Sequence, residues 1–120
     1  MNKSMGVVMN SENYKIKPRS NFVSTCLQGY ITASYAELVK VFGEPQSTET
    51  SGDEKVNIEW ELAVHDYDFN SIKPVTIYNW KDYDGGFEAR SNQEYKWHIG
   101  GTSIMDTAYI QQFFNEKVVA

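Results

Sequence analysis

Hydrophobic and polar positions alternate most cleanly between Val56 and His65. Val56, Ile58, Trp60, Leu62 and Val64 fall on one side, and Asn57, Glu59, Glu61, Ala63 and His65 on the other. A period of two marks a strand with one face on a core and one in water, the habit of antiparallel sheets. Residues 22–32 are rich in β-branched and aromatic types and read as an earlier strand, bent at Gly29. Val75 to Lys81 and Tyr95 to Ile99 read as two later strands. Between them Asp84, Gly85 and Gly86 supply hairpin-turn chemistry on a long connection.

Twice the period lengthens to that of a helix. Ser34 and Glu37 have capping-box spacing, and Tyr35, Leu38, Val41 and Phe42 then share one face. Gly43 supplies a left-handed stop and Pro45 forbids continuation, so the spacing predicts a helix over 35–42. Gly100 and Gly101 end the last strand. Ser103 with Asp106 repeats the capping spacing, and Ile110, Phe113 and Phe114 give a closing helix its apolar side. The order β-α-β-β-β-α is an α+β fold: an antiparallel sheet of about four strands, the central three a meander, with two helices packed on one face. Residues 1–20 are polar and aperiodic, a flexible N-terminal arm or a marginal edge strand, and 46–54 form a solvated loop. Residues 21–120 form one domain, since a chain of 120 residues is too short to divide into units with separate cores.

Composition sharpens this picture. Apolar residues make up 41% of the chain and aromatics 14%, enough for a packed interior, with Tyr and Trp left over for a surface. The formal charge of −5 is unevenly spread. Residues 1–20 are basic through Lys3, Lys15, Lys17 and Arg19 against Glu12. Residues 44–68 carry Glu44, Glu49, Asp53, Glu54, Glu59, Glu61, Asp66 and Asp68 against Lys55 alone, a net of −7. Such an acidic middle argues against direct nucleic-acid binding, which needs a positive footprint, and points to a basic partner or to solubility. The single cysteine, Cys26, fits a reducing compartment, and no stretch approaches a membrane span or a signal sequence. A cytoplasmic location is the expectation.

The acidic cluster is the first candidate site. Carboxylates two residues apart on a strand lie roughly 7 Å from one another, near the phosphate repeat of a nucleic-acid strand. Glu59 and Glu61, followed by Asp66 and Asp68 and preceded by Glu49, Asp53 and Glu54, could imitate nucleic acid and occupy a basic groove. A solvated sheet face would look the same. A second candidate is Gly100-Gly101-Thr102-Ser103, where amides at a helix start could hold an anion, with Trp80, Tyr95 and Trp97 near for a planar ligand. A strand-to-helix turn reads equally well there, since P-loop and dinucleotide spacings are missing.

Chemistry beyond binding is poorly provided for. His65 and His98 lie on different strands with no thiolate pair, which is a weak metal set. Asp82 to Glu88 lacks the acidic positions of a calcium loop. Cys26 sits in an apolar strand, where a thiol is usually inert packing, and no serine stands in a nucleophile elbow. The chain is therefore expected to be neither an enzyme nor a holder of a cofactor or metal.

Several stretches together resemble a family of small, mostly uncharacterised proteins of tailed bacteriophages. They are Gly29-Tyr30-Ile31, Leu38 to Pro45, Lys55 to Trp60, Ile77 to Lys81, and Trp97-His98-Ile99-Gly100-Gly101. This resemblance, over residues 29–101, implies a viral origin and a role in binding host machinery such as restriction or CRISPR complexes. Residues 34–62 are also similar to BamE-type lipoproteins, with a helix ending in a Gly-x-Pro turn before a Trp-bearing strand, though the lipidation signal is missing. That likeness concerns the fold. The expected function is inhibition of a host protein through the acidic face, in the manner of anti-CRISPR or anti-restriction proteins. A nucleotide-binding protein and a virion or assembly accessory are the alternatives. Surface Tyr and Trp would suit a homodimer, and the sequence favours neither monomer nor dimer.

Overall fold

The computed structural model describes residues 13–19, 25–46, 55–82 and 86–120. Five strands, β1 (Tyr14–Pro18), β2 (Cys26–Ala33), β3 (Glu59–Asp66), β4 (Ser71–Tyr78) and β5 (Tyr95–Gly101), form one antiparallel sheet in the order β1-β3-β4-β5-β2. Three helices accompany it: α1 (Tyr35–Phe42), α2 (Phe87–Arg90) and α3 (Met105–Lys117). The α+β class and the central meander β3-β4-β5 are as the hydrophobic pattern predicts, with one strand and one short helix more.

The extra strand comes from the segment read as an arm or a marginal edge strand. Tyr14 and Ile16 turn into the core at 2% and 9% exposure, while Lys15 and Lys17 point out, and the strand pairs with β3 from Tyr14↔Asp66 to Pro18↔Leu62. β4 begins at Ser71, four residues before the expected Val75, although Pro74 lies within it. Proline is tolerated because β5 pairs with β4 only at Thr76, Ile77 and Tyr78, so β4 is an edge at Pro74. The bend expected at Gly29 is a register shift between Leu27 and Gly29. Of the expected hairpin turn, Asp84 and Gly85 lie outside the described residues. Gly86, with φ of 81°, starts α2, so the connection from β4 to β5 carries a helical turn.

One sheet face and the helices enclose the core. Leu38 and Phe42 of α1, Ala89 of α2 and Tyr109, Ile110 and Phe114 of α3 join Trp60, Leu62, Val64, Val75, Ile77, Trp97 and Ile99 in a single cluster. Trp60 and Trp97 meet edge to face with ring centroids 5.4 Å apart, and both are fully buried. Their indole N–H groups donate to the carbonyls of Gly43 at 2.7 Å and Ala33 at 3.0 Å, so neither burial leaves a polar atom without a partner. Burying a side chain of this size is worth about 1.5–3 kcal/mol or more. The capping box of α1 is complete: Glu37 N–H donates to Ser34 Oγ and Ser34 N–H to Glu37 Oε1.

Candidate binding face

Strand register builds one line of side chains across the sheet on the face opposite the core. Glu59 pairs with Tyr78, Tyr78 with His98, and His98 with Tyr30, a row spanning β3, β4, β5 and β2. One step along runs a second row, Glu61, Thr76, Gly100 and Leu27. β1 adds Lys17 beside Ala63 and Lys15 beside His65. An open depression of about 360 Å³, lined by Pro18, Arg19, Ala63, His65 and Ile72, lies at that end. The face thus passes from a basic edge through two carboxylates to a group of rings.

His98 is the hub of the rings. Its centroid lies 5.0 Å from that of Tyr30, 5.4 Å from Tyr78 and 5.7 Å from Trp80. Tyr30 is 43% exposed and Trp80 38%. The Lys96 ammonium stands 4.2 Å from the centre of the Tyr30 ring, and those of Lys55 and Lys81 stand 5.8 and 5.9 Å from that of Trp80. Burial, and then the Lys96 charge, holds the His98 imidazole below its ordinary value, so it is neutral at neutral pH. The Nδ1 atom of His98 is buried and has no hydrogen-bond partner among the described residues.

Trp80 is positioned from below. Asn79, fully buried, accepts from the backbone N–H groups of Asn57 and Ile58 at 2.8 and 2.9 Å and donates to the Asn57 side chain at 3.0 Å. Lys81, in the left-handed region at φ 59°, donates its N–H to the Lys55 carbonyl. Trp80 is held between these two anchors.

The predicted acidic set divides. Glu59 and Glu61 stand on the open face, both half-buried. Burial, and then the neighbouring Glu61, pushes the Glu59 carboxyl above its ordinary value. Asp66 is not on that face: it closes β3 on the core side, 4% exposed, and accepts from the Tyr109 hydroxyl and the amides of Asp68 and Phe69. Burial works against its charge, but these bonds and Lys73 outweigh it and hold the carboxyl below its ordinary value. Asp68 is exposed in the β3–β4 turn and accepts from the Asn13 side chain at 3.2 Å. Glu49, Asp53 and Glu54 lie outside the described residues. Among the described carboxylates of the set, Glu59 and Glu61 share the face, and Asp66 serves the core instead.

The second predicted set does not form one site. Trp97 is a core residue, Tyr95 is half-buried against it at 4.8 Å between centroids, and Trp80 belongs to the open face. Gly100 and Gly101 lie within β5. The amides of Thr102 and Ser103 donate to the Asp106 carboxylate at 2.9 and 3.0 Å, so the protein's own side chain takes the place read as an anion site. Ser103 Oγ accepts from Met105 N–H at 3.2 Å and acts as a turn residue. Cys26, expected as buried packing, opens β2 and is exposed. Among the described residues no three His, Cys, Asp or Glu side chains gather closely enough to hold a metal, and no helix is long and apolar enough to cross a membrane.

Sequence reading missed Tyr30, Tyr78, His98 and Lys96 as partners. Each sits at an outward position of its strand, but the pairing of β4 with β5 and the long-range pairing of β2 with β5 are what align them. Compared with known proteins, the chain matches no family model, no curated protein and no solved structure.

Proposed function

We propose that this chain is a non-enzymatic binding protein that docks on a basic surface of another protein through the sheet face opposite its helices, and thereby inhibits it. One observation carries the reading. Glu59 and Glu61 occupy successive outward positions of β3, and crowding and burial make the Glu59 charge unfavourable in the unbound protein. A lysine or arginine of a partner would relieve that repulsion and supply electrostatic steering. Ile72, 59% exposed, and Leu27, 47% exposed, offer apolar contact on either side. The phage-like sequence pattern supports a host nucleic-acid-processing or defence factor as the partner, of the kind met by anti-CRISPR and anti-restriction proteins.

The test is capture by the tagged protein from a bacterial lysate at low and high salt, read by mass spectrometry. A stoichiometric partner retained at low salt, and lost on combining Glu59→Lys with Glu61→Lys, is the expected result. Capture indifferent to both salt and charge reversal, or no partner at low salt, sinks the reading.

A further inference from the structure

We infer that the ring-bearing end of the open face binds a free nucleotide, its base stacked among Tyr30, His98 and Trp80 and its phosphate met by the Lys96 ammonium beside Tyr30. Docking of a protein, as proposed above, rests on the carboxylates of β3. The nucleotide site rests on β2, β5 and the end of β4, and neither depends on the other.

Three observations converge. First, three π systems, Tyr30, Tyr78 and Trp80, gather around the His98 imidazole, with two of those rings substantially exposed. Flat heterocycles stack on such groups whatever their hydrogen-bonding edge. Second, ammonium groups stand beside the rings, Lys96 at Tyr30 and Lys81 at Trp80, on a chain whose formal charge is −5. Cations already at the rings disfavour a cationic guest and suit one whose flat part carries an anion. Third, His98 Nδ1 is buried without a partner among the described residues, a cost that a donor or acceptor on a ligand edge would remove after a small ring movement.

A nucleotide unites these needs: a flat base, polar edge atoms and a phosphate. A free nucleotide is favoured over a strand because Glu59 lies in the same cross-sheet row, with Glu61 two positions away, where a second or third phosphate of a strand would meet carboxylates.

Trp80 reports on the site directly, since Trp60 and Trp97 are fully buried and Trp80 is exposed. The full chain is titrated with AMP, GMP, CMP and UMP, following tryptophan emission and, in parallel, heat by calorimetry. Ribose 5-phosphate serves as the base-free control and a short oligothymidylate as the strand. Saturable quenching by at least one mononucleotide, without response to ribose 5-phosphate, is expected. Tyr30→Ala should weaken it about tenfold or more while Tyr30→Phe retains it. Lys96→Ala should weaken it too, and Glu59→Lys with Glu61→Lys should leave it intact, in contrast to capture of a protein partner. Near-ultraviolet circular dichroism of the buried tryptophans verifies that each variant is folded. Absence of both quenching and heat with every mononucleotide overturns the inference. So does an equal response to ribose 5-phosphate, or tighter binding of the oligothymidylate, which would make a strand the occupant.

Discussion

The carboxylate of Asp106 occupies the space that Gly101 leaves by having no side chain. A Cβ at Gly101 would overlap Asp106 Oδ2 and press on the rest of the carboxylate, which is fully buried and holds the amides of Thr102 and Ser103. The turn from β5 into α3 is therefore locked by one side chain reaching back along the chain. Gly101→Ala should cost about 2 kcal/mol or more in urea denaturation, since the displaced carboxylate strands two amides. Gly43→Ala is the comparison. Among the described residues, its chain neighbours aside, no atom lies within 4 Å of the Cβ position at Gly43, and its backbone at φ 85° and ψ −172° alone opposes the change, so about 1–3 kcal/mol is expected. A loss below about 1 kcal/mol at Gly101 would show that the Asp106 carboxylate yields freely.

Asp66 should make the fold acid-sensitive. Its folded value lies below the ordinary 3.8, so the fold favours the ionised carboxyl. That contribution is present above 3.8 and fades as pH falls through the lower, folded value. Burial, then the bond to Asp66, pushes the Tyr109 hydroxyl up to about 12, which keeps it a donor throughout this range. Asp66→Asn should lose about 1.5–3 kcal/mol at neutral pH, the range for a hydrogen bond to a charged group. Urea midpoints of the variant should also change less than those of the parent between neutral pH and about pH 3. A parallel shift in both proteins would place the acid sensitivity elsewhere.

Glu59 works in the opposite sense. Its folded value is raised, so the carboxyl's contribution is favourable below the ordinary 4.5 and is lost as pH rises through the folded value. Glu59→Gln should therefore match or exceed the parent's stability at neutral pH, by a few tenths of a kcal/mol given its partial exposure to solvent. The advantage should shrink toward pH 4. A variant less stable than the parent at neutral pH would mean that the carboxylate is well satisfied and has no unmet demand for a cation.

Asn79 ties the end of β4 to the segment before β3 by three hydrogen bonds through one buried amide. Asn79→Ala removes the acceptor of two buried backbone N–H bonds and should cost about 2 kcal/mol or more. Trp80, next in sequence, should become more mobile, seen as a drop in its fluorescence anisotropy. Unchanged anisotropy would mean that Lys81 and the ring contacts with Tyr78 and His98 alone fix the indole.

How far the chain can be read in advance follows from the reach of each interaction. The helix over 35–42 is local from the Ser34–Glu37 box onward and its pattern suffices, although Gly43 ends it at φ 85° and ψ −172° and not in the left-handed helical conformation expected. Of the strand expected over Val56 to His65, Glu59 onward forms, shown by the alternation of Glu59, Trp60, Glu61 and Leu62, while Val56 to Ile58 precede it and Ile58 N–H is taken by Asn79. Tyr14 to Pro18 is five residues long, and its alternation is convincing only once Asp66 and Val64 stand opposite. Asp66 misleads because the out-facing series Glu59, Glu61 invites its inclusion, whereas its parity is that of Leu62 and Val64. The ring group is the least legible feature. Tyr30 and His98 are 68 positions apart, and no local pattern encodes which outward residue of β2 meets which of β5.

The strand order also governs when the molecule can become whole. Among the described residues β1 and β2 are the first strands, yet they occupy opposite edges of the sheet, each paired with a strand made later. On a ribosome neither finds its neighbour until β3, for β1, and β5, for β2, have emerged. Sheet completion is thus a late, long-range closure across most of the polypeptide, the class of topology that folds slowly for its size. Until β5 appears, β2 has no strand beside it, whereas α1 can already meet Trp60 of β3, which packs on Tyr35 and donates to the Gly43 carbonyl.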